Sequence, residues 1–396
     1  MKVALWTPSA ATAWVAALRP HLEAAVDLEV IGTEPPSGPE ADLHLYHVGD
    51  DPAHGFVYRT LLRQPGAVVL EEWGLHRLIH AETAGRGDPG AYMREARRAH
   101  GETGTFVARQ VVRGLGGGLP ALLTVNDRVL DASLGLVATS EAVRARAVAR
   151  LPTRPVVHLS LAFAGATALS GRGAARAALR IEADRFVVVA VQPAADPAPP
   201  ERIVRALHRV CEAEPRVITL WTAHDDPRRR TRLGAADVVV VLEHPARAGI
   251  APAVAEAVAA GLPTLVTAGS GAAREVPAGV VVPVSPGRTE GEEVEALVRR
   301  LLAEPSLRAR VGRLARTYAA ERCRPEQAAR DLVVFLRALA EGTEASLETM
   351  GAQRIAEGTL LAGAIEEVRW TARELGLATV PPGLAPLVGR LFGEVP

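Results

Sequence analysis

Short runs of β-branched and aliphatic residues alternate along the chain with longer stretches in which apolar positions recur every three or four residues. Strands buried on both faces, separated by covering helices, give this rhythm. In the first half, strands are expected over residues 2–6, 28–31, 43–47, 68–71 and 134–139. Helices are expected over 13–25, 56–63 and 92–113, and from Ser140, a suitable N-cap, to 150. After Pro152 and Pro155 the chain runs through 156–161 into a Gly/Ala-rich stretch at 165–173, where a linker is expected. A second series follows, with strands at 186–191, 217–220, 238–242, 264–267 and 280–283 and helices at 200–212, 251–260, 292–303 and through 306–341. Each series predicts a doubly wound parallel sheet. The expected architecture is therefore α/β: two Rossmann-like domains facing a cleft, over residues 1–160 and 175–340, with a helical C-terminal extension over 341–396. Residues 344–375 are amphipathic, and are expected to pack back on the N-terminal domain or against a partner, as a homodimer or with another protein.

Charge and cysteine content narrow the function classes. Lys plus Arg and Asp plus Glu both number 45, so the formal net charge is +0 and no global field draws the molecule to nucleic acid or to an anionic membrane. The two cysteines, Cys211 and Cys323, lack the spacing of a zinc motif or a disulfide framework, which suits a reducing cytoplasm. Lys2 to Trp6 reads as a strand rather than a secretory leader, and no stretch approaches the length of a membrane span. A soluble, cytoplasmic protein is expected.

In open parallel sheets, ligands bind beyond the carboxyl ends of the strands. Two loops at such ends carry histidines and carboxylates: Gly49-Asp50-Asp51-Pro52-Ala53-His54 and Glu71-Glu72-Trp73-Gly74-Leu75-His76. Meeting in one cleft, they would supply a proton acceptor and partners for hydroxyl groups. His54 and His76 equally suit helix caps or partners of buried carbonyls. The loop Ala268-Gly269-Ser270-Gly271-Ala272 lets backbone N–H groups approach a phosphate or a sugar, although glycine-rich turns also serve chain reversal alone. Arg247 and Glu256 flank the start of the helix at 251–260, where Glu256 would hold hydroxyls or sit on the helix surface.

With these elements in order, the chain resembles the family 4 retaining glycosyltransferases of the two-domain GT-B type over most of residues 1–340. The resemblance is carried by Gly49-Asp50-Asp51-Pro52-Ala53-His54, by Pro65 to Leu78, by Thr139-Ser140-Glu141, and by Val254 to Thr267 with the glycine loop and strand that follow. It implies transfer of a sugar from a nucleotide-sugar to a small-molecule, glycan or protein acceptor, with no metal and no cofactor beyond that co-substrate. His54, Glu71, Glu72 and His76 would line the acceptor side. Glu256, Gly269, Ser270 and Gly271 would hold the donor, with Arg202 or Arg247 facing its diphosphate. The chain also departs from the family. Of two glutamates expected with seven residues between them, the first is Ala248 and only Glu256 remains. Val191-Gln192-Pro193-Ala194-Ala195-Asp196-Pro197 replaces the usual cation pair, and Glu71-Glu72 stands for His-Asp. Between Trp221 and Ala236 a helix and strand of the base pocket are missing. A catalytically inactive descendant serving as a binding or scaffolding partner is the alternative, with a related epimerase or phosphorylase as a third.

Overall fold

In the computed structural model, residues 1–8, 13–35, 38–117, 119–166, 168–192, 199–224 and 226–342 are described. The apolar runs of the first half become β1 (Lys2–Trp6), β2 (Asp27–Ile31), β3 (Leu43–Val48), β4 (Gly66–Leu70), β5 (Ser133–Ala138) and β6 (Val156–His158), all parallel in the order β2-β1-β3-β4-β5-β6. Every residue of β3, β4 and β5 is buried, which is why these strands lack the alternation of exposed polar positions, His44 and His47 of β3 being buried with the rest. The helices are α1 (Ala13–Glu23), α2 (Gly55–Arg63), α3 (His76–Glu82), α4 (Pro89–Val112), α5 (Asp127–Ala132) and α6 (Glu141–Arg150). Ser140 caps α6 as expected, its hydroxyl accepting from Val143 N. The expected long helix at 92–113 starts earlier, at Pro89, and is broken at Gly101, whose φ of 59° leaves the helical region.

A short α7 (Leu161–Ala164) and α8 (Arg172–Leu179) lead to the second sheet. Its strands are β7 (Phe186–Val191), β8 (Val217–Thr222), β9 (Val238–Val241), β10 (Thr264–Thr267) and β11 (Val282–Val284), parallel in the order β11-β10-β9-β7-β8. The last strand forms two residues later than the sequence suggests. α9 (Glu201–Ala213), α10 (Arg229–Ala235), α11 (Pro252–Ala259), α12 (Gly271–Glu275) and α13 (Glu290–Ala303) connect and cover it. From β8, the outermost strand, the chain returns through α10 to β9 on the other side of β7. Among the described residues no strand lies beyond β8, as the short Trp221–Ala236 connection implies. Strand order reverses between β7 and β9, and between β1 and β3 in the first sheet, so each sheet opens a crevice at the carboxyl ends of those strands.

α14 (Pro305–Arg322) stays with the second domain, where its Tyr318 ring meets Phe163 edge-on at 5.5 Å between centroids. α15 (Pro325–Glu341) returns to the first. Its Phe335 and Leu339 fill the space over Gly135 of β5, and Arg337 donates to the Ala25 carbonyl at 3.1 Å. The returning segment is thus α15, which the sequence assigned to the second domain. Residues 343–396, which hold almost all of the expected extension, lie outside the described residues. Among the described residues, no helix is long and apolar enough to cross a membrane, and Cys211 and Cys323 are both free thiols.

Asp237, just before β9, anchors the second sheet. Its carboxylate accepts from Arg176 at 2.7 Å and Val187 N at 2.8 Å and pairs with Arg172 at 2.6 Å, while Asp237 and Arg176 are 6% and 4% exposed. Asp237→Ala leaves the buried Arg176 guanidinium without its counter-ion, although its bonds to the Ala183, Ala235 and Arg185 carbonyls remain, and leaves the Val187 N–H unsatisfied. It should cost about 3–5 kcal/mol in urea denaturation.

Candidate functional site

The loops that leave β4 and β9 meet at Glu72. This side chain is 5% exposed and its carboxylate accepts three backbone hydrogen bonds: from Trp73 N at 2.9 Å in its own domain, and from Ala248 N at 2.9 Å and Gly249 N at 3.1 Å in the other. Ser140, already the cap of α6, donates its hydroxyl to the Ala248 carbonyl at 2.6 Å. Gly249 has no room for a side chain, because a Cβ there would run into the Glu71 carbonyl oxygen. Beside this seam Glu275 accepts from Glu141 N at 2.9 Å and lies 3.3 Å from His158 Nε2.

Two adjoining cavities open around the seam at the carboxyl ends of both sheets. The larger, about 540 Å³, is lined from the first domain by Asp50, Glu72, Trp73, His76, Arg77 and Arg146 and from the second by Arg202, Glu243, His244, Arg247 and Glu290. It holds four arginines against four carboxylates. Arg202 is paired with Glu290, and Arg247 stands 3.3 Å from both Glu72 and Glu243. Arg77 reaches Asp51 at 3.6 Å. Arg146 makes no ion pair among the described residues. Burial pushes the Glu243 carboxyl up despite Arg247. Burial also pushes His76 down to about 4, helped by His80 and Arg77, and its Nε2 lies 2.6 Å from the Tyr92 hydroxyl.

The smaller cavity, about 150 Å³, is a recess lined by Trp14, Gly49, Asp50, Asp51, His54, Glu71 and Arg247 among others. Glu71 is held 2.7 Å from His47 Nε2 and accepts from Trp14 Nε1 at 3.3 Å. Burial alone would raise its pKa, but His47, His54 and Trp14 outweigh burial and keep the carboxyl well below its usual range. His54, 6% exposed, is driven down to about 4 by burial and then by His47. Asp50 borders both cavities and caps the start of α3, accepting from Arg77 N at 2.7 Å and Leu78 N at 3.3 Å. Loss of solvent pushes it up to about 7 against the pull of Arg247 and those N–H groups. A carboxyl that titrates there can take or give a proton at neutral pH.

Of the residues expected from sequence, His54, Glu71, Glu72, His76, Arg202 and Arg247 come together around this cleft. The others do not line these two cavities. Glu256, 3% exposed, is taken up by Arg229 at 3.2 Å and Arg230 at 2.7 Å, both from α10. Ser270 caps α12. Gly271 makes room for the Ala248 and Gly249 carbonyls, so the glycine loop backs the seam. Gly269 turns the chain at φ 81° beside open space. Asp50, Arg77, Arg146 and Glu243 were missed. Asp50 and Glu243 each stand within two residues of the end of a strand at a switch point, which is the signal that would have found them.

No protein-family model matches the chain, and no curated protein sequence does. Solved structures do. Sucrose-phosphate synthase from Thermosynechococcus elongatus is similar at 14% identity, covering 86% of this chain and 99% of that one, with a TM-score of 0.52. A putative UDP-N-acetylglucosamine 2-epimerase from Listeria monocytogenes aligns at 11% identity over 86% and 96%, with a TM-score of 0.50. The UDP-GlcNAc 2-epimerase of Neisseria meningitidis, bound to UDP-GlcNAc, aligns at 12% identity over 85% and 100%, also at 0.50. At such identities the likeness shows the fold: two Rossmann-like domains of the GT-B type facing a cleft.

Two outcomes follow from the geometry. Gly249→Ala should cost about 1–3 kcal/mol in denaturant unfolding, because the backbone of the seam must shift to admit the methyl group. Asp50 has a folded pKa above its unfolded value, so the unfolded chain releases this proton first as pH rises. Wild-type stability is therefore lost between about pH 4 and about pH 7. Asp50→Asn removes that titration, and its stability relative to wild type should improve by roughly 3–4 kcal/mol across this window. Parallel pH curves for the two proteins would refute the assignment.

Proposed function

We propose that the protein is a retaining glycosyltransferase, related to family 4, that moves a sugar from a nucleotide-sugar to an acceptor hydroxyl within the cleft. The observation that carries this is the cavity of about 540 Å³ at the switch points of both sheets, into which four arginines project. Diphosphate recognition needs fixed cations, and Arg146, Arg202 and Arg247 come from both sides of the space. In this proposal the donor lies against Arg202 and Arg247, and Arg146 closes over its diphosphate from the first domain. The acceptor enters beside His54, Glu71, Glu72 and His76. Asp50, near neutrality in its titration, takes up the acceptor proton as the leaving diphosphate is stabilised by the arginines. UDP-GlcNAc bound in the Neisseria protein of the same fold supports a uridine nucleotide-sugar as the first donor to try. We assign the acceptor-side domain to residues 1–160 and the donor-side domain to 175–340, the last helix of that span, α15, packing on the first sheet; we place the protein in the cytoplasm, and assign residues 341–396 to packing on the first domain or on a partner.

One observation favours a non-catalytic alternative. Glu256, the remaining glutamate of the donor motif, is neutralised internally by Arg229 and Arg230, and Ala248 in the other motif position is held by Glu72. A binding or scaffolding protein would tolerate both. A melting-temperature panel of UDP-, GDP- and TDP-sugars separates the two. At least one nucleotide-sugar should raise the transition, and Arg146→Ala should weaken its binding about 10–100-fold without destabilising the free protein, since that side chain makes no ion pair among the described residues. No response across the panel leaves the non-catalytic alternative.

A further inference from the structure

Two side chains that line the recess beside the cleft, His54 and Glu71, and the buried His47 behind them are not required as a set by the proposed transfer. The ligand atoms of His47, His54 and Glu71 all lie within 4.8 Å of one another, from β3, the turn after it and the end of β4. The two imidazole rings meet edge-on at 4.9 Å between centroids.

Proton positions make this cluster unusual. His54 Nδ1 lies 3.3 Å from the Asp51 carbonyl oxygen, which can only accept, so that nitrogen carries the hydrogen and Nε2 presents a lone pair. That Nε2 is buried without a hydrogen-bond partner. His47 Nδ1 lies 3.0 Å from the Thr7 hydroxyl, and its Nε2 stands 2.7 Å from the Glu71 carboxylate; metal binding selects the neutral tautomer in which Nδ1 donates to Thr7 and Nε2 presents its lone pair. Two imidazole lone pairs and a carboxylate then converge with no proton between them. A cation resolves that repulsion.

We propose that His47, His54 and Glu71 form a three-ligand site for a divalent transition-metal ion of the zinc type, with its remaining position open to the recess. Two nitrogens and one oxygen suit zinc and disfavour magnesium and calcium, which take oxygen ligands. The Thr7 hydroxyl orients the first ligand ring from behind, the usual arrangement of a histidine ligand. Gly49 leaves the approach clear: a Cβ there would stand 3.0 Å from both Glu71 Oε2 and His54 Cε1. Bonds of about 2.0–2.2 Å require the three ligands to draw together from their separations of up to 4.8 Å. The recess that His54 and Glu71 line is also lined by Trp14, Asp51 and Arg77, and there water or an acceptor hydroxyl would complete the shell. The resemblance to family 4 implies no metal, so this site rests on the chain's own residues and not on the transferase proposal.

The test uses the full-length protein, stripped with chelator and titrated with zinc and with cobalt(II). One tight equivalent of zinc is expected by elemental analysis after gel filtration, and the cobalt form should show the intense visible bands of a four- or five-coordinate ion. Thr7→Val should weaken zinc binding about 10–100-fold, and His54→Ala by more. His208→Gln, on the solvent-exposed face of α9, should change nothing. A wild-type protein that retains no zinc after gel filtration overturns the proposal. So does a His54→Ala variant, folded by circular dichroism, that binds as wild type. If His54→Ala does not fold, His54→Gln and the wild-type cobalt spectrum decide. None of these measurements uses a nucleotide-sugar, so failure here leaves the transferase question untouched, and the reverse.

Discussion

The Glu72 carboxylate is the constraint on which the cleft depends. It leaves the first sheet at the end of β4 and ends on the amides of Ala248 and Gly249 beyond β9. Hydrogen bonds from backbone N–H to a buried carboxylate are among the stronger kind, and each group would be costly to leave unpaired. Arg247, Gly249 and Gly271 owe their positions to this contact: Gly271 N donates to the Arg247 carbonyl at 2.9 Å, and both glycines lack side chains where backbones nearly touch. The carboxylate that pins the domains also borders both cavities, so closure and site geometry are set by one group.

Much of the architecture was legible because burial on both faces leaves an unmistakable mark. β3, β4 and β5 are wholly buried and stand in the chain as Leu43 to Val48, Gly66 to Leu70 and Ser133 to Ala138. Of the cleft-lining residues, His54, Glu71, Glu72 and His76 were legible for a related reason, since they lie in the loops that follow β3 and β4. The residues of the second domain were less so. Glu256 sits on the right helix, but what it does depends on Arg229 and Arg230, whose approach follows from the short connection between β8 and α10 and from no local pattern. Nor does spacing reveal that Ala248 is gripped from the other domain, a contact between positions 176 apart in the chain.

Electrostatics make the cleft neither basic nor acidic but closely balanced. Arg202 and Arg247 face carboxylates already, so an anionic ligand entering the cleft would have to compete with Glu290, Glu72 and Glu243 for them. Such competition exacts affinity and returns selectivity, because a ligand lacking two adjacent anionic groups gains too little to displace the internal partners. Asp50 is tuned by the same balance, drawn toward ionisation by Arg247 and away from it by burial.

The return of α15 to the first sheet gives the polypeptide a second covalent crossing between the domains, in addition to the one that runs through α7. A body tethered at two points opens about the line that joins them far more readily than it swivels. Any relative motion of the two halves must therefore turn about that line while breaking or carrying with it the hydrogen bonds of Glu72 to Ala248 and Gly249.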